Sequence, residues 1–226
     1  MAIRGVIFDL DDTLYDCSGQ LTDPARRRAA KCLSRQSTLS PSELFSLQSD
    51  LAGELGSADA IREIGRREQL PGDIIESALK AYNRDVAESI TPFEDTPSTL
   101  DELCDRGYKL ALVTTGTPNR QRQKIQQLDF AKYFSESDGT LVIHDDRLLP
   151  DKGPALATTG ANLDLSFDQI LAVGDKLDAE ISAANKLGMV TARFLHGRQK
   201  NRVPKTKDER PDHSLENISD LLKILA

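Results

Sequence analysis

Four short apolar runs, Arg4 to Leu10, Lys109 to Thr114, Gln169 to Val173 and Met189 to Phe194, constrain this chain more than any other feature. Each gives way at once to polar or glycine residues, the pattern of a strand buried on both faces. Between them stand helix openings. Thr96-Pro97, Thr117-Pro118 and Gly153-Pro154 each put proline where a first helical turn tolerates it. Strand and helix therefore alternate from about Thr96 onward. This predicts an open, doubly wound, mostly parallel α/β sheet whose ligands bind beyond the carboxyl ends of the strands.

The stretch from Asp16 to Ile90 has no strand-like run, and its apolar residues recur at helical spacing. Asp23-Pro24 opens a helix carrying Ala29, Cys32 and Leu33, and Ser40-Pro41-Ser42-Glu43 is a capping box before Leu44, Leu47 and Leu51. Two more stripes follow, Ile61 with Ile64, and Ile75, Leu79, Tyr82 and Val86. With 226 residues and 38% hydrophobic content, one good core and a small insert are affordable, but hardly two full domains. The expected division is a core of residues 1–15 and 95–226, with a four-helix cap, 16–94, inserted after the first strand. His196 to His213 reads as a long irregular loop, and Leu215 to Leu225 as a last helix.

The net charge of -7 argues against nucleic acid as a partner. Cys17, Cys32 and Cys104 lack CxxC spacing, so neither a disulfide framework nor a thiolate zinc site is expected. No stretch approaches the roughly 18 apolar residues that span a membrane, and no signal segment is recognisable, so a cytoplasmic location is the expectation. His144, His196 and His213 show no metal spacing and receive no role. Arg26-Arg27-Arg28 reads as a solvated patch of the cap, and Arg198, Lys200 and Arg202 as a solvated basic loop.

Chemistry concentrates at the strand ends. The first run closes in Asp9-Leu10-Asp11-Asp12-Thr13-Leu14, where Asp9 and Asp11 point the same way in extended chain. Their repulsion is relieved by a divalent cation or by one carboxyl held protonated. The second run ends in Thr114-Thr115-Gly116, a hydroxyl and turn amides suited to phosphate oxygens. Lys152 is the only lysine between Lys132 and Lys176, and it stands just before a helix opening. The third run ends in Gly174-Asp175, with Asp178 and Glu180 close behind, a hard-oxygen set suited to Mg²⁺ rather than zinc.

In this order, these residues resemble the haloacid dehalogenase-like superfamily, in particular its phosphatases with a helical cap and a Rossmann-like core. The resemblance spans nearly the whole chain and rests on DxDxT at Asp9, Asp11 and Thr13, the strand-end Thr114, Lys152, and the Gly-Asp motif at Asp175. It departs in two places: Gly153 stands between Lys152 and Pro154, and Glu180 occupies a position that is often aspartate. The resemblance implies a Mg²⁺-dependent phosphatase in which Asp9 is the nucleophile and Asp11 the general acid and base. Thr114 and Lys152 would stabilise the transferring group, while Thr13, Thr115 and Gly116 contact phosphate. Asp9, the backbone carbonyl of Asp11, and Asp175 would hold the metal, with Asp178 or Glu180 in support. The implied substrate is a small phosphorylated metabolite, whose identity the helical stripes do not specify, and oligomeric state is equally unreadable. Three other readings share the scaffold: a dehalogenase, which needs neither metal nor second acid; a phosphomutase, which more often carries Gly and Val where Asp12 and Thr13 stand; and a non-catalytic phosphate-binding module.

Overall fold

A computed structural model describes residues 2–84, 89–145 and 151–226. The chain divides into two compact units, Gly19–Glu88, and Met1–Ser18 with Ser89–Ala226.

The first of these is helical, with α1 (Asp23–Leu33), α2 (Pro41–Leu55), α3 (Ser57–Arg67) and α4 (Gly72–Tyr82). Its core joins Ala29, Leu33, Leu44, Ile61, Ile64 and Leu79. Burying side chains of this size stabilises by about 1.5–3 kcal/mol each. The α2 start is the capping box the sequence predicts, since Glu43 N–H donates to Ser40 Oγ at 3.3 Å and Ser40 N–H to Glu43 Oε2 at 2.8 Å. Val86, the last residue of the fourth stripe, lies outside the described residues.

Of the arginine triplet, expected as a solvated patch, Arg27 is exposed, but Arg26 is buried and Arg28 half-buried. Arg26 is only 2% exposed, Arg27 stacks over the Phe45 ring at 4.7 Å, and Arg28 Nε donates to the Ala81 carbonyl at 3.2 Å. Guanidinium groups can pair with carbonyls and aromatic faces within a small bundle, so charge alone misleads here.

The second unit is built on six parallel strands, β1 (Gly5–Phe8), β2 (Lys109–Thr115), β3 (Leu141–His144), β4 (Ile170–Gly174), β5 (Val190–Phe194) and β6 (His213–Leu215). Their order is β3-β2-β1-β4-β5-β6. Phe8 of β1 lies opposite Leu112 of β2 on one side and Val173 of β4 on the other. The chain winds outward from β1 to β3 and then returns to β1's other side, so a crevice opens beyond the tips of β1 and β4. Around the sheet lie α5 (Thr96–Asp105), α6 (Pro118–Gln127), α7 (Gly153–Asn162), α8 (Ser182–Leu187) and α9 (Leu221–Ile224). The openings at Thr96, Pro118 and Gly153 coincide with those the prolines predict. Ile7, Ala111, Val113 and Ala172 pack with Leu156, Leu163 and Ala184 into one core.

Two strands and one helix differ from the sequence reading. β3 is short, an apolar run of three residues closed by His144 with two of its four positions half-buried, and β6 has three residues, two of them exposed. The expected helix over Leu215 to Leu225 begins later because Leu215 is paired with Phe194 in the sheet. Asn217, in extended conformation, then caps a fresh turn through Asp220, leaving α9 with four residues. Among the described residues no helix is long and apolar enough to cross a membrane.

Candidate active site

Asp9 follows β1 directly and stays tied to the sheet, its N–H donating to the Val173 carbonyl at 2.8 Å. Asp175 follows Gly174 at the tip of β4, so the two carboxylates flank the reversal in strand order. Lys152, at the N-terminal cap of α7, enters from the chain after β3. Its Nζ donates to Asp9 Oδ1 at 2.6 Å and to Glu180 Oε1 at 2.7 Å. All four side chains are 4% exposed or less. An ion network this dry must be closely balanced, because each unpaired charge would bear the full desolvation penalty.

The balance is incomplete. Asp9 Oδ2, Asp175 Oδ1, Glu180 Oε2 and Thr13 Oγ1 are buried without a hydrogen-bond partner among the described residues. Burial, opposed by Lys152 and assisted by Glu180, raises the Asp9 carboxyl from 3.8 to about 6. Burial and the neighbouring Glu180 likewise push Asp175 well above the usual carboxylate range. Glu180, despite its burial, is held below that range by Lys152 and Lys176. Lys152 is itself buried, yet Asp9 and Glu180 keep its ammonium protonated. Orphaned carboxylate oxygens at two neighbouring strand tips form a hard-oxygen donor set that fits a small divalent cation.

Gly174 makes the arrangement possible, since a Cβ there would meet Glu180 Cβ and Cγ at 2.8 Å. Gly174→Ala is expected to push Glu180 away from Lys152 and to destabilise by about 1–3 kcal/mol through overpacking. Chemical denaturation checks this; an unchanged midpoint would mean that Glu180 moves aside freely.

Asp11 occupies a different setting. Lys124 Nζ donates to both its oxygens at 2.8 Å, Tyr15 Oη donates to Oδ1 at 2.6 Å, and Gln121 Nε2 reaches Oδ2 at 3.3 Å. Burial works the other way, but Lys124 and these hydrogen bonds hold the Asp11 carboxyl below the ordinary range. General-acid duty calls for a carboxyl that holds a proton near neutral pH, whereas here Asp11 is an ionised base. Lys124, Tyr15 and Gln121 escaped the sequence reading. Their signals were the i, i+3 spacing of Gln121 and Lys124 behind Pro118, and a tyrosine four residues past Asp11.

Thr114 is fully buried at the end of β2 and accepts from Gln121 Nε2. The Thr115 carbonyl accepts from the same nitrogen. The Gly116 N–H, expected to face phosphate, donates to the His144 carbonyl at 2.9 Å and is thereby committed to β3. Of the two acidic residues in reserve, Glu180 lies in the buried network, whereas Asp178 pairs with Arg202 at 2.8 Å. Asp12, left-handed at φ 61, accepts from the N–H and Oγ of Ser18, both at 2.6 Å. Folding also brings His196 to Asp12 and Asp16, with one ligand atom of each within 4.8 Å of the others. No linear spacing foretold that proximity. Asp12 is already satisfied by Ser18, and His196 pairs with Asp16 at 3.1 Å, so the group braces the loop after β1.

A doubly wound sheet with an aspartate at the β1 tip, a buried lysine on it, and an acidic β4 tip defines a family. The chain belongs to the haloacid dehalogenase-like hydrolases, whose family model matches residues 6–194. Among similar proteins, the glyceraldehyde 3-phosphate phosphatase of Methanopyrus kandleri is 30% identical, over 99% of this chain and 97% of that protein. The phosphoglycolate phosphatase of Aquifex aeolicus is 26% identical, over 99% of this chain and 97% of that protein. In fold, the chain matches a predicted phosphoglycolate phosphatase from Haemophilus somnus 129pt with a TM-score of 0.73. That match has 20% identity and covers 99% of this chain and 98% of the other.

Proposed function

We propose that this hydrolase is a Mg²⁺-dependent phosphatase that hydrolyses small phosphomonoesters through an aspartyl-phosphate on Asp9. The observation that carries the reading is the buried Lys152, paired with Asp9 and Glu180 beside carboxylate oxygens that have no partner among the described residues.

Asp9 attacks phosphorus, an Asp9 oxygen to phosphorus bond forms, and the bond to the ester oxygen breaks. The departing alkoxide takes a proton from Asp11. In the second displacement Asp11, now a carboxylate, takes a proton from water as that water attacks phosphorus, releasing phosphate and restoring Asp9. The Lys124-paired form of Asp11 is the base that the second displacement needs. The acid form requires that pair to open first. Lys152 restrains Asp9 and neutralises charge on the transferring group, and Thr114 supplies a hydroxyl donor. Asp9 and Asp175, with the backbone carbonyl of Asp11, are the residues that would hold Mg²⁺. When bound, the ion supplies charge neutralisation between nucleophile and phosphate. We assign substrate selection to the helical unit, and glyceraldehyde 3-phosphate and phosphoglycolate, named for the relatives above, are the first substrates to test.

Phosphate release from these two compounds and from an aryl phosphate, with and without Mg²⁺, tests the reading. Turnover without divalent cation, or none on any phosphomonoester, would contradict it. A pH dependence also follows. The folded-state value of Asp9 lies above its unfolded value of 3.8, so its contribution to stability is complete below 3.8 and is lost as pH rises to about 6. The metal-free parent is therefore expected to lose stability relative to Asp9→Asn across that window, and Mg²⁺ at neutral pH to raise the parent's melting temperature again. Thermal melts across pH, with and without Mg²⁺, measure both effects; indifference to Mg²⁺ would remove the metal from the account.

A further inference from the structure

Gln121 is a buried amide, 2% exposed, on the helix that follows the Thr114 strand. Its nitrogen lies 2.5 Å from Thr114 Oγ1, 3.1 Å from the Thr115 carbonyl oxygen and 3.3 Å from Asp11 Oδ2. A carbonyl and an ionised carboxylate only accept hydrogen bonds. Two obligate acceptors therefore fix which end of the amide faces this cluster: it is the NH₂. With two hydrogens for three oxygens one hydrogen is shared, and since an amide nitrogen cannot accept, the third neighbour, the Thr114 hydroxyl, is an acceptor as well. A hydroxyl that accepts from an amide keeps its own proton for another acceptor. Among the described residues that is the hydroxyl's one hydrogen bond, so no protein acceptor takes the proton.

The backbone is shaped for the contact. Gly116 sits at φ 143, and a Cβ there would meet Gln121 Cδ at 3.4 Å and Cγ at 3.5 Å. The Gln121 side chain thus folds back beneath the turn that carries Thr114 and Thr115.

We propose that Gln121 is a positioning residue that commits the Thr114 hydroxyl to donate to a phosphoryl oxygen, while tying Thr114 to Asp11. The inference rests on the phosphatase reading and deepens it. Gln121 touches no reacting atom; it sets the direction of a donor that does. Replacing its NH₂ with an acceptor reverses that direction, because the hydroxyl proton then turns toward residue 121.

The test is a double-mutant cycle on Gln121→Glu and Thr114→Val, with Gln121→Met as the apolar near-isostere. The readouts are kcat and KM on an aryl phosphate with Mg²⁺, the affinity for inorganic phosphate by calorimetry, and thermal melts to confirm folding. Gln121→Glu is expected to lower kcat/KM by about 10²-fold, the scale of one lost oxyanion donor, and to weaken phosphate binding. Gln121→Met, which frees the hydroxyl without reversing it, is expected to lose less. In the Thr114→Val background, the Gln121→Glu substitution should have little further effect on phosphate affinity, as for two residues acting through one contact, while kcat keeps the part of the loss that comes from setting a second carboxylate beside Asp11. Undiminished loss of phosphate affinity in that background, or a Gln121→Glu protein binding phosphate as the parent does, would overturn the proposal. A parent that neither binds phosphate nor hydrolyses any phosphomonoester would overturn the phosphatase reading, and this inference with it. An active parent with additive Gln121 and Thr114 effects on phosphate affinity would overturn this inference alone.

Discussion

Asp9→Asn is expected to give a folded protein, at least as stable as its parent in the absence of metal, with no detectable phosphate release. The two halves of that result have separate causes. Asparagine keeps the size and shape of the side chain but has no nucleophilic oxygen able to form an acyl phosphate, so the covalent route closes altogether. Stability is spared because Asp9 is strained by its setting: burial and Glu180 already hold its carboxyl up at about 6. Removing the charge relieves repulsion and leaves Lys152 paired with Glu180. A residue that helps activity and harms stability is one kept for chemistry. Chemical denaturation without metal, alongside a coupled phosphate assay, reads both halves. Appreciable turnover by the variant would refute the nucleophile assignment, and a large loss of stability would show that Asp9 is mainly structural.

Lys152→Met carries the second large effect and has the opposite profile. The substitution keeps most of the apolar stem and deletes the cation that binds Asp9 and Glu180 at 2.6 and 2.7 Å. What remains is a buried group of carboxylates whose nearby counter-charge is Lys176, and breaking a buried pair in this way costs up to about 3–5 kcal/mol. The loss should be greater at pH 8 than at pH 5, since the freed carboxyls recover neutrality by taking up protons as pH falls. Activity should fall by at least about 10²-fold, because a preorganised cation on the transferring group is gone. Arginine is not expected to rescue it, as a planar guanidinium does not fit where a compact ammonium is held between two carboxylates. Melts at the two pH values decide the matter: a Lys152→Met protein as stable as its parent at pH 8 would mean that the network contributes nothing to the fold.

The sheet was legible wherever a strand is buried on both faces, because continuous apolar runs such as Gly5–Phe8 and Ile170–Gly174 leave few other readings. β3 and β6 were not, since these short edge strands bury little: β3 carries only Leu141, Val142 and Ile143 before His144, and β6 buries only Leu215. Prolines marked five helix starts correctly, yet they say nothing about where a helix faces. The candidate site divides along the same line. Asp9, Thr114 and Asp175 stand at strand ends, and in a parallel sheet those ends converge by topology, so order along the chain locates them. Lys152 was legible as an isolated cation before a helix start, but its two carboxylate partners depend on how α7 packs. Gln121 and Lys124 depend wholly on the rotation of α6 about its axis, which the polar sequence Pro118–Gln127 hardly encodes. Arg26 and His196 were misjudged or passed over for the same reason, because burial and tertiary proximity, not residue type, give them their partners.

The central claim is that phosphorus passes through a covalent bond to Asp9. Acid quenching of the Mg²⁺-loaded enzyme during turnover, followed by mass spectrometry of its peptides, tests this directly. The account predicts one base-labile phosphoryl group on the peptide containing Asp9, absent from Asp9→Asn. Phosphorylation at another residue during turnover would contradict it.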